Sequence, residues 1–294
     1  MTHPFYLVDV FAEDKYAGNQ LAVIRNAANL TGEEMQKIAA EMNYSETTFI
    51  LQDEPIQGGY SVRIFSLDEE LPFAGHPTLG TAYIIQQELI RSEVDEVTLN
   101  LGVGPIPVSF SYLNGRPDIL WMKQIPPVFG RKYSPRDLAP VLGLTEGQID
   151  NRHPIEEVST GLPFIIVPLK NLAAVKSCRV NMERYESLIE DTDAKSIFVF
   201  SPECYSRENQ LNARMFDHYH GIPEDPATGS ANGCLAAYLV KNRYFGTEVV
   251  DLRVEQGYEI KRPSLLFLKA EEKEGIIEVE VGGRVVMVAG GELL

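Results

Sequence analysis

Residues 214–240, "RMFDHYHGIPEDPATGSANGCLAAYLV", run from a strand pattern through a Pro/Gly turn into an Ala-rich apolar helix pattern. A second version stands in the first half of the chain, "RIFSLDEELPFAGHPTLGTAYII" at 63–85. Arg63 aligns with Arg214 and Phe65 with Phe216, an offset of 151 in a chain of 294 residues. The surroundings repeat in the same order: "GNQLAVIRN" corresponds to "GLPFIIVPL", "EMQKIAAEM" to "NMERYESLI", and "ETTFILQ" to "KSIFVFS". A coincidence between two strand–turn–helix units is the alternative, and the ordered repetition of several elements favours duplication. The expected fold is therefore α/β (α+β), with two homologous halves, each a strand-rich unit around a central helix, divided near 125–135.

Local patterns fill in the halves. In "LTGEEMQKIAAEMNY", Thr31 followed by Glu34 is a capping box, and Met35, Ile38, Ala39 and Met42 share one helical face. "FYLVDVF", "SETTFILQ" and "YSVRIFS" read as strands, with further strands near 95–101, 106–112 and 119–124. "HPTLGTAYIIQQELI" reads as a helix, and "GVGPIPV" as a turn. At the opening stretch, Asp225 reads as the cap of the second helix, with Pro226 at its first helical position.

Composition narrows the function. Hydrophobic residues at 44% and charged residues at 23% are globular values. Twenty-six Lys and Arg against 42 Asp and Glu give a net charge of −16, which argues against nucleic acid or an anionic membrane as general partners. No apolar run approaches the roughly 20 residues of a spanning helix. "MTHPFYLVDVF" reads as a strand, not a signal peptide, so a cytoplasmic protein is expected. Cys178, Cys204 and Cys234 are odd in number and lack metal-ligand spacing, as buried free thiols in a reducing compartment would be.

A duplicated pair of small domains tends to hold its ligand in the crevice between them. The matched turns would then present two helix N-termini, at Gly75-His76-Pro77-Thr78 and Thr228-Gly229-Ser230. Their unpaired amides and dipoles favour a carboxylate or an enolate-like oxygen. Glu46 begins an apolar strand, where partial desolvation would make it a usable base; an ordinary surface glutamate is the plain alternative. His76 is either a ligand-facing imidazole or a structural turn residue. Ser230 either donates to a ligand or satisfies local backbone, and Asn19 is either a turn residue or a substrate hydrogen-bonder. His218 and His220 would share a face if extended, but two ligands are too few for a metal. Neither a G-x-G-x-x-G fingerprint nor a G-x-S-x-G elbow is present. No metal and no organic cofactor are expected.

Taken together, "VDVFAEDKYAGNQLAVI", "NYSETTFI", "RIFSLDEELPFAGHPTLGTA", "RMFDHYHGIPEDPATGSANG" and "EQGYEIKRPSLL" resemble the PhzF-like family of the diaminopimelate-epimerase fold. The resemblance spans most of the chain. It implies halves of 1–128 and 129–294, each a curled sheet around a central helix, with strand or helix exchange near the boundary and the C-terminus. It also implies an active site between the halves and a homodimer. Carried over by position, Glu46 is the proton-transferring carboxylate and His76 and Asp225 are its catalytic companions. Asn19, Ser45, Gly75, Gly229 and Ser230 are substrate-binding positions. Related epimerases and racemases invert a stereocentre with two cysteines, whereas here the matching turns read Ala74-Gly75-His76 and Asp225-Pro226-Ala227. Inversion needs an acid and a base on opposite faces, while one carboxylate suffices for a proton shift along one face. The expected activity is thus a cofactor-independent isomerase of a small carboxylate-bearing substrate. The alternatives are an amino- or hydroxy-acid epimerase or racemase, and a non-catalytic binding protein.

Overall fold

The protein is described from a computed structural model covering residues 2–294. In chain order the first elements are β1 (His3–Val10), β2 (Asn19–Ile24), α1 (Gly32–Met42), β3 (Glu46–Ile50) and β4 (Tyr60–Ser66). They are followed by β5 (Glu70–Leu71), α2 (Gly75–Ile84), β6 (Glu96–Leu101), β7 (Gly104–Leu113) and β8 (Arg116–Lys123). The next group is β9 (Val128–Tyr133), α3 (Pro135–Leu138), β10 (Ile155–Ser159), β11 (Pro163–Pro168), α4 (Leu172–Ser177) and α5 (Met182–Ile189). Then come β12 (Ser196–Ser201), β13 (Leu211–Asp217), β14 (Ile222–Asp225), α6 (Gly229–Lys241) and β15 (Val249–Gln256). The chain closes with β16 (Ser264–Lys273), β17 (Ile276–Gly283) and β18 (Val285–Leu293).

Contacts group the chain into two units, Met1–Met122 with Gly282–Leu294, and Lys123–Val281. The strand order of the first is β18-β1-β2-β3-β4-β6-β7-β8. That of the second is β9-β10-β11-β12-β13-β15-β16. From β18 and β9 onward both follow one pattern of pairings: antiparallel, antiparallel, parallel, antiparallel, parallel, antiparallel. In the first unit the outermost of these strands comes from the far end of the chain, and in the second it comes from the start of the unit's own run. β18 returns from the C-terminus to pair with β1, and β9 precedes the β10 that it joins.

Each sheet curls around one helix. α2 touches β1, β2, β3, β6, β7 and β18, and every residue from His76 to Ile84 except Tyr83 is buried. α6 touches β10, β11, β15 and β16 and is buried from Ala231 to Val240. A helix apolar on all faces must be enclosed, and these two are. α1 and α5 instead cover the outside of their parallel crossovers. The Thr31–Glu34 capping box forms, and Met35 and Ala39 pack with Ile24, Phe49 and Phe65. In the second unit Tyr185 and Ile189 pack with Ile165, Ile197 and Phe216. Phe65 and Phe216 thus serve the same place in two cores.

Several local readings need correction. The helix expected over "HPTLGTAYIIQQELI" changes to a π-helical stretch at Ile85–Ile90. "GVGPIPV" turns only at Gly102 and Val103, because Pro105 and Pro107 already lie in β7 opposite Asn100 and Thr98. His218 and His220 sit in a 3₁₀ turn and are not extended. Asp225 is not the cap of α6: it ends β14, opposite Met215, the cap position is Thr228, and the helix begins at Gly229 rather than Pro226.

Candidate active site

In the first unit the chain brings Glu46 and His76 together. Glu46 opens β3 and His76 is the second residue of α2; Glu46 Oε2 lies 3.4 Å from His76 Nε2. Thr48, which alternation puts on the same face of β3 as Glu46, meets Thr81 of α2 at 2.8 Å. That buried contact fixes strand against helix beneath the pair. Burial pushes the His76 imidazole down to about 3, against a hydrogen bond to the backbone of Gln20 that pulls it up. The ring is therefore neutral at ordinary pH. Asn19 is buried next to Gln20 at the start of β2, so the "AGNQ" turn reaches the same helix end. Ser45 is half-buried just before β3, and Gly75 is the first residue of α2.

In the second unit Asp225 is buried, and Gly229 and the half-buried Ser230 open α6. The hydroxyl of Thr228 donates to Asp225 Oδ2. Gln256, fully buried at the end of β15, donates from Nε2 to the Asp225 carbonyl at 2.9 Å and to Thr228 Oγ1 at 3.0 Å. Its Oε1 accepts from the Thr228 amide at 3.2 Å and from Asn232 Nδ2 at 2.9 Å. The sequence marks Thr228 only as part of a helix N-terminus and does not single out Gln256. A usable signal existed, since the repeat aligns them with Ala74 and Leu101.

The strand registers make the correspondence between units residue by residue. Met215 faces Asp225 as Ile64 faces Leu71, so Asp225 aligns with Leu71. The helix starts align His76 with Ser230, and the pairings Thr47–Phe65 and Ile197–Phe216 align Glu46 with Ser196. Arg63 grips Glu70 through Nε and Nη2 at 2.7 and 2.6 Å; Arg214 grips Glu224 the same way at 2.9 and 2.7 Å. Gly102 and Gly257 each press on a proline. A Cβ on Gly102 would stand 3.0 Å from Pro72 Cα, and one on Gly257 3.1 Å from Pro226 Cα. The scaffold around the two turns is duplicated. The carboxylates are not, since Glu46 belongs to one unit and Asp225 to the other.

A cavity of about 430 Å³ in the first unit contains none of the candidate residues; it is lined by Arg63, Glu70, Pro72, Asn100 and neighbours. In the second unit the counterpart of Asn100 is Glu255, whose carboxylate accepts from the Tyr205 and Ser206 amides. Among the described residues no group of three or more His, Cys, Asp or Glu is placed to hold a metal, and no helix is long and apolar enough to cross a membrane. Cys178 and Cys234 are buried and Cys204 half-buried. Cys234 lies against Thr160 and the Leu162 carbonyl, and burial pushes its thiol up to about 12.

Two sheets of one topology, each curled round an apolar helix that opens at a Gly turn, define the fold shared by PhzF proteins and proline-racemase-like epimerases. A probable proline racemase from Agrobacterium radiobacter shares it with a TM-score of 0.62 at 11% identity, covering 99% of this chain and 93% of that one. Within that fold the chain belongs to the phenazine biosynthesis-like protein family, PhzC-PhzF, which matches residues 8–291. It is 33% identical to the trans-2,3-dihydro-3-hydroxyanthranilate isomerase of Pseudomonas aeruginosa over 293 residues, 98% of each chain. The PhzF-family protein of Bacillus anthracis superposes with a TM-score of 0.91 at 28% identity, covering 100% of this chain and 99% of that one. The protein is an isomerase of this family.

Proposed function

We propose that this isomerase moves a proton on a small carboxylate-bearing substrate without a cofactor, with Glu46 as the acid/base. The observation that carries the reading is the Glu46 carboxylate at 3.4 Å from a buried, neutral His76 at the start of α2. A neutral imidazole does not lock the carboxylate into a strong ion pair, so Glu46 is left able to accept a proton and return it. Having given its one N–H to the Gln20 backbone, the ring offers Nε2 as a lone pair beside Glu46. Asp225 positions the polar groups of the substrate. The amides at Gly75–His76 and Gly229–Ser230, with the Ser230 hydroxyl, hold its carboxylate or a developing oxyanion, and Asn19 and Ser45 add hydrogen bonds. The unequal halves support a proton shift over an inversion: the counterpart of Glu46 is Ser196, which cannot act as a base of like strength, and no cysteine occupies either turn.

The Pseudomonas relative's substrate, trans-2,3-dihydro-3-hydroxyanthranilate, is the first compound to test, followed by other small unsaturated carboxylates. In heavy water the native enzyme incorporates deuterium at a new carbon with a shifted double bond. Glu46→Gln keeps the shape and removes the base, and its turnover falls by roughly 10²-fold or more. Full turnover by that variant would falsify the role of Glu46. Inverted configuration with deuterium at the original carbon would replace isomerisation by epimerisation.

A further inference from the structure

We propose that Gln256 and Thr228 are positioning residues that aim the Asp225 carboxylate at the polar groups of the substrate, through a one-way chain of hydrogen bonds. The inference rests on the role given to Asp225 above. Its direction follows from groups that can only donate or only accept. Gln256 Oε1 faces two pure donors, the Thr228 amide at 3.2 Å and Asn232 Nδ2 at 2.9 Å. Asn232 Nδ2 is itself fixed by the Thr228 carbonyl at 3.0 Å. The amide of Gln256 is thereby oriented without ambiguity, and its two Nε2 hydrogens go to the Asp225 carbonyl at 2.9 Å and to Thr228 Oγ1 at 3.0 Å. Thr228 Oγ1, now an acceptor from Gln256, has one hydrogen left, and it goes to Asp225 Oδ2. That oxygen must accept. Asp225 is held at two points, its backbone carbonyl by Gln256 and one carboxylate oxygen by Thr228, so the orientation of its side chain depends on β15.

The internal repeat separates this from a folding requirement. The first unit builds the same turn with Leu71, Ala74 and Leu101 at the positions of Asp225, Thr228 and Gln256. Its strand pairings, its glycine against proline and its Arg–Glu grip are all retained. The turn and its helix therefore form without the polar set, and the three polar residues are present together in one unit and absent together from the other. A group retained as a set around a carboxylate, where apolar residues suffice for the fold, is a device for that carboxylate.

Three variants test it in the full chain. Thr228→Val removes the hydroxyl at nearly constant volume, Thr228→Ser keeps it, and Gln256→Glu keeps the acceptor but replaces the donor that orients Thr228. Expected for Thr228→Val and Gln256→Glu is a loss in kcat of about tenfold or more, with KM within about twofold and the acid limb of the kcat/KM profile displaced; Thr228→Ser restores the native values. A second arm needs no turnover. In protein labelled with ¹³C at the aspartate carboxyls, the Asp225 resonance, identified by its loss in Asp225→Asn, moves in Thr228→Val and stays in Thr228→Ser. An unmoved resonance overturns the proposal, and so does an equal loss in the Ser and Val variants. If the resonance responds while Glu46→Gln retains full turnover, the orienting chain stands and the proton-shift reading falls.

Discussion

The glycine pressed against Pro226 offers a stability prediction with its own internal controls. Gly257 has φ +79°, and a Cβ there would lie 2.3 Å from the Arg262 carbonyl oxygen and 2.6 Å from the Pro226 carbonyl oxygen. Both obstacles are backbone, so relief requires moving the turn that carries Asp225. Gly221, in the same unit, has φ +76° with nothing within 4 Å of the same point. Gly102 has a φ outside the left-handed region but a Cβ position 3.0 Å from Pro72 Cα. Gly221→Ala thus carries only the left-handed backbone cost, about 1–2 kcal/mol. Gly102→Ala carries only the crowding, about 1–2 kcal/mol, at the low end of an overpacked site. Gly257→Ala carries both, with the more severe overlap, for about 3–5 kcal/mol in all. Urea unfolding followed by tryptophan fluorescence and by circular dichroism, with the m-value checked for constancy, measures the three differences. If Gly257→Ala loses no more stability than Gly221→Ala, the contact with Pro226 is not tight and the reasoning fails.

Two further predictions concern charge. The His76 imidazole sits near 3 in the folded chain against about 6.5 when unfolded, so the unfolded state binds the extra proton between these values. Stability from this group is complete above pH 6.5 and is lost as pH falls, by about 2 kcal/mol at pH 5. Urea unfolding of native protein and His76→Asn at pH 7 and pH 5 should show that difference. A native protein that instead gains on the variant in acid would reveal a charged His76 paired with Glu46. The duplicated ion pairs should also behave unequally. Arg214 and Glu224 have side chains only 6% and 8% exposed, while Arg63 and Glu70 are at 32% and 44%. Glu224→Gln takes the nearer carboxylate from a buried guanidinium, leaving Glu259 at 4.0 Å, and should cost about 2–3 kcal/mol, and Glu70→Gln under about 1 kcal/mol. Equal losses in thermal or urea unfolding would contradict the assignment of burial.

What could be read from the chain in advance follows from how local its cause is. The repeat of strand, turn and helix is legible because Arg63, Phe65 and Gly75 recur as Arg214, Phe216 and Gly229, each within a single stretch. Glu46 and His76 are legible as candidates for the same reason, each standing at an element start. The cap of α6 was misread because Asp225-Pro226 has the composition of a helix start, while its strand pairing to Met215 depends on residues ten positions earlier. Gln256 is less accessible still. It reaches Asp225 only because β15 pairs in parallel with β13, placing Gln256 beside Ala213, and no local pattern in "EQGYEI" encodes that neighbour. The clue lay in comparison: duplication supplies an internal control, and positions where one half is polar and the other apolar, such as Thr228 against Ala74 and Gln256 against Leu101, are those the fold does not require. The same registers set Asp225 against Leu71 and Glu46 against Ser196, so neither of the two carboxylates proposed to meet the substrate has a carboxylate counterpart in the other half.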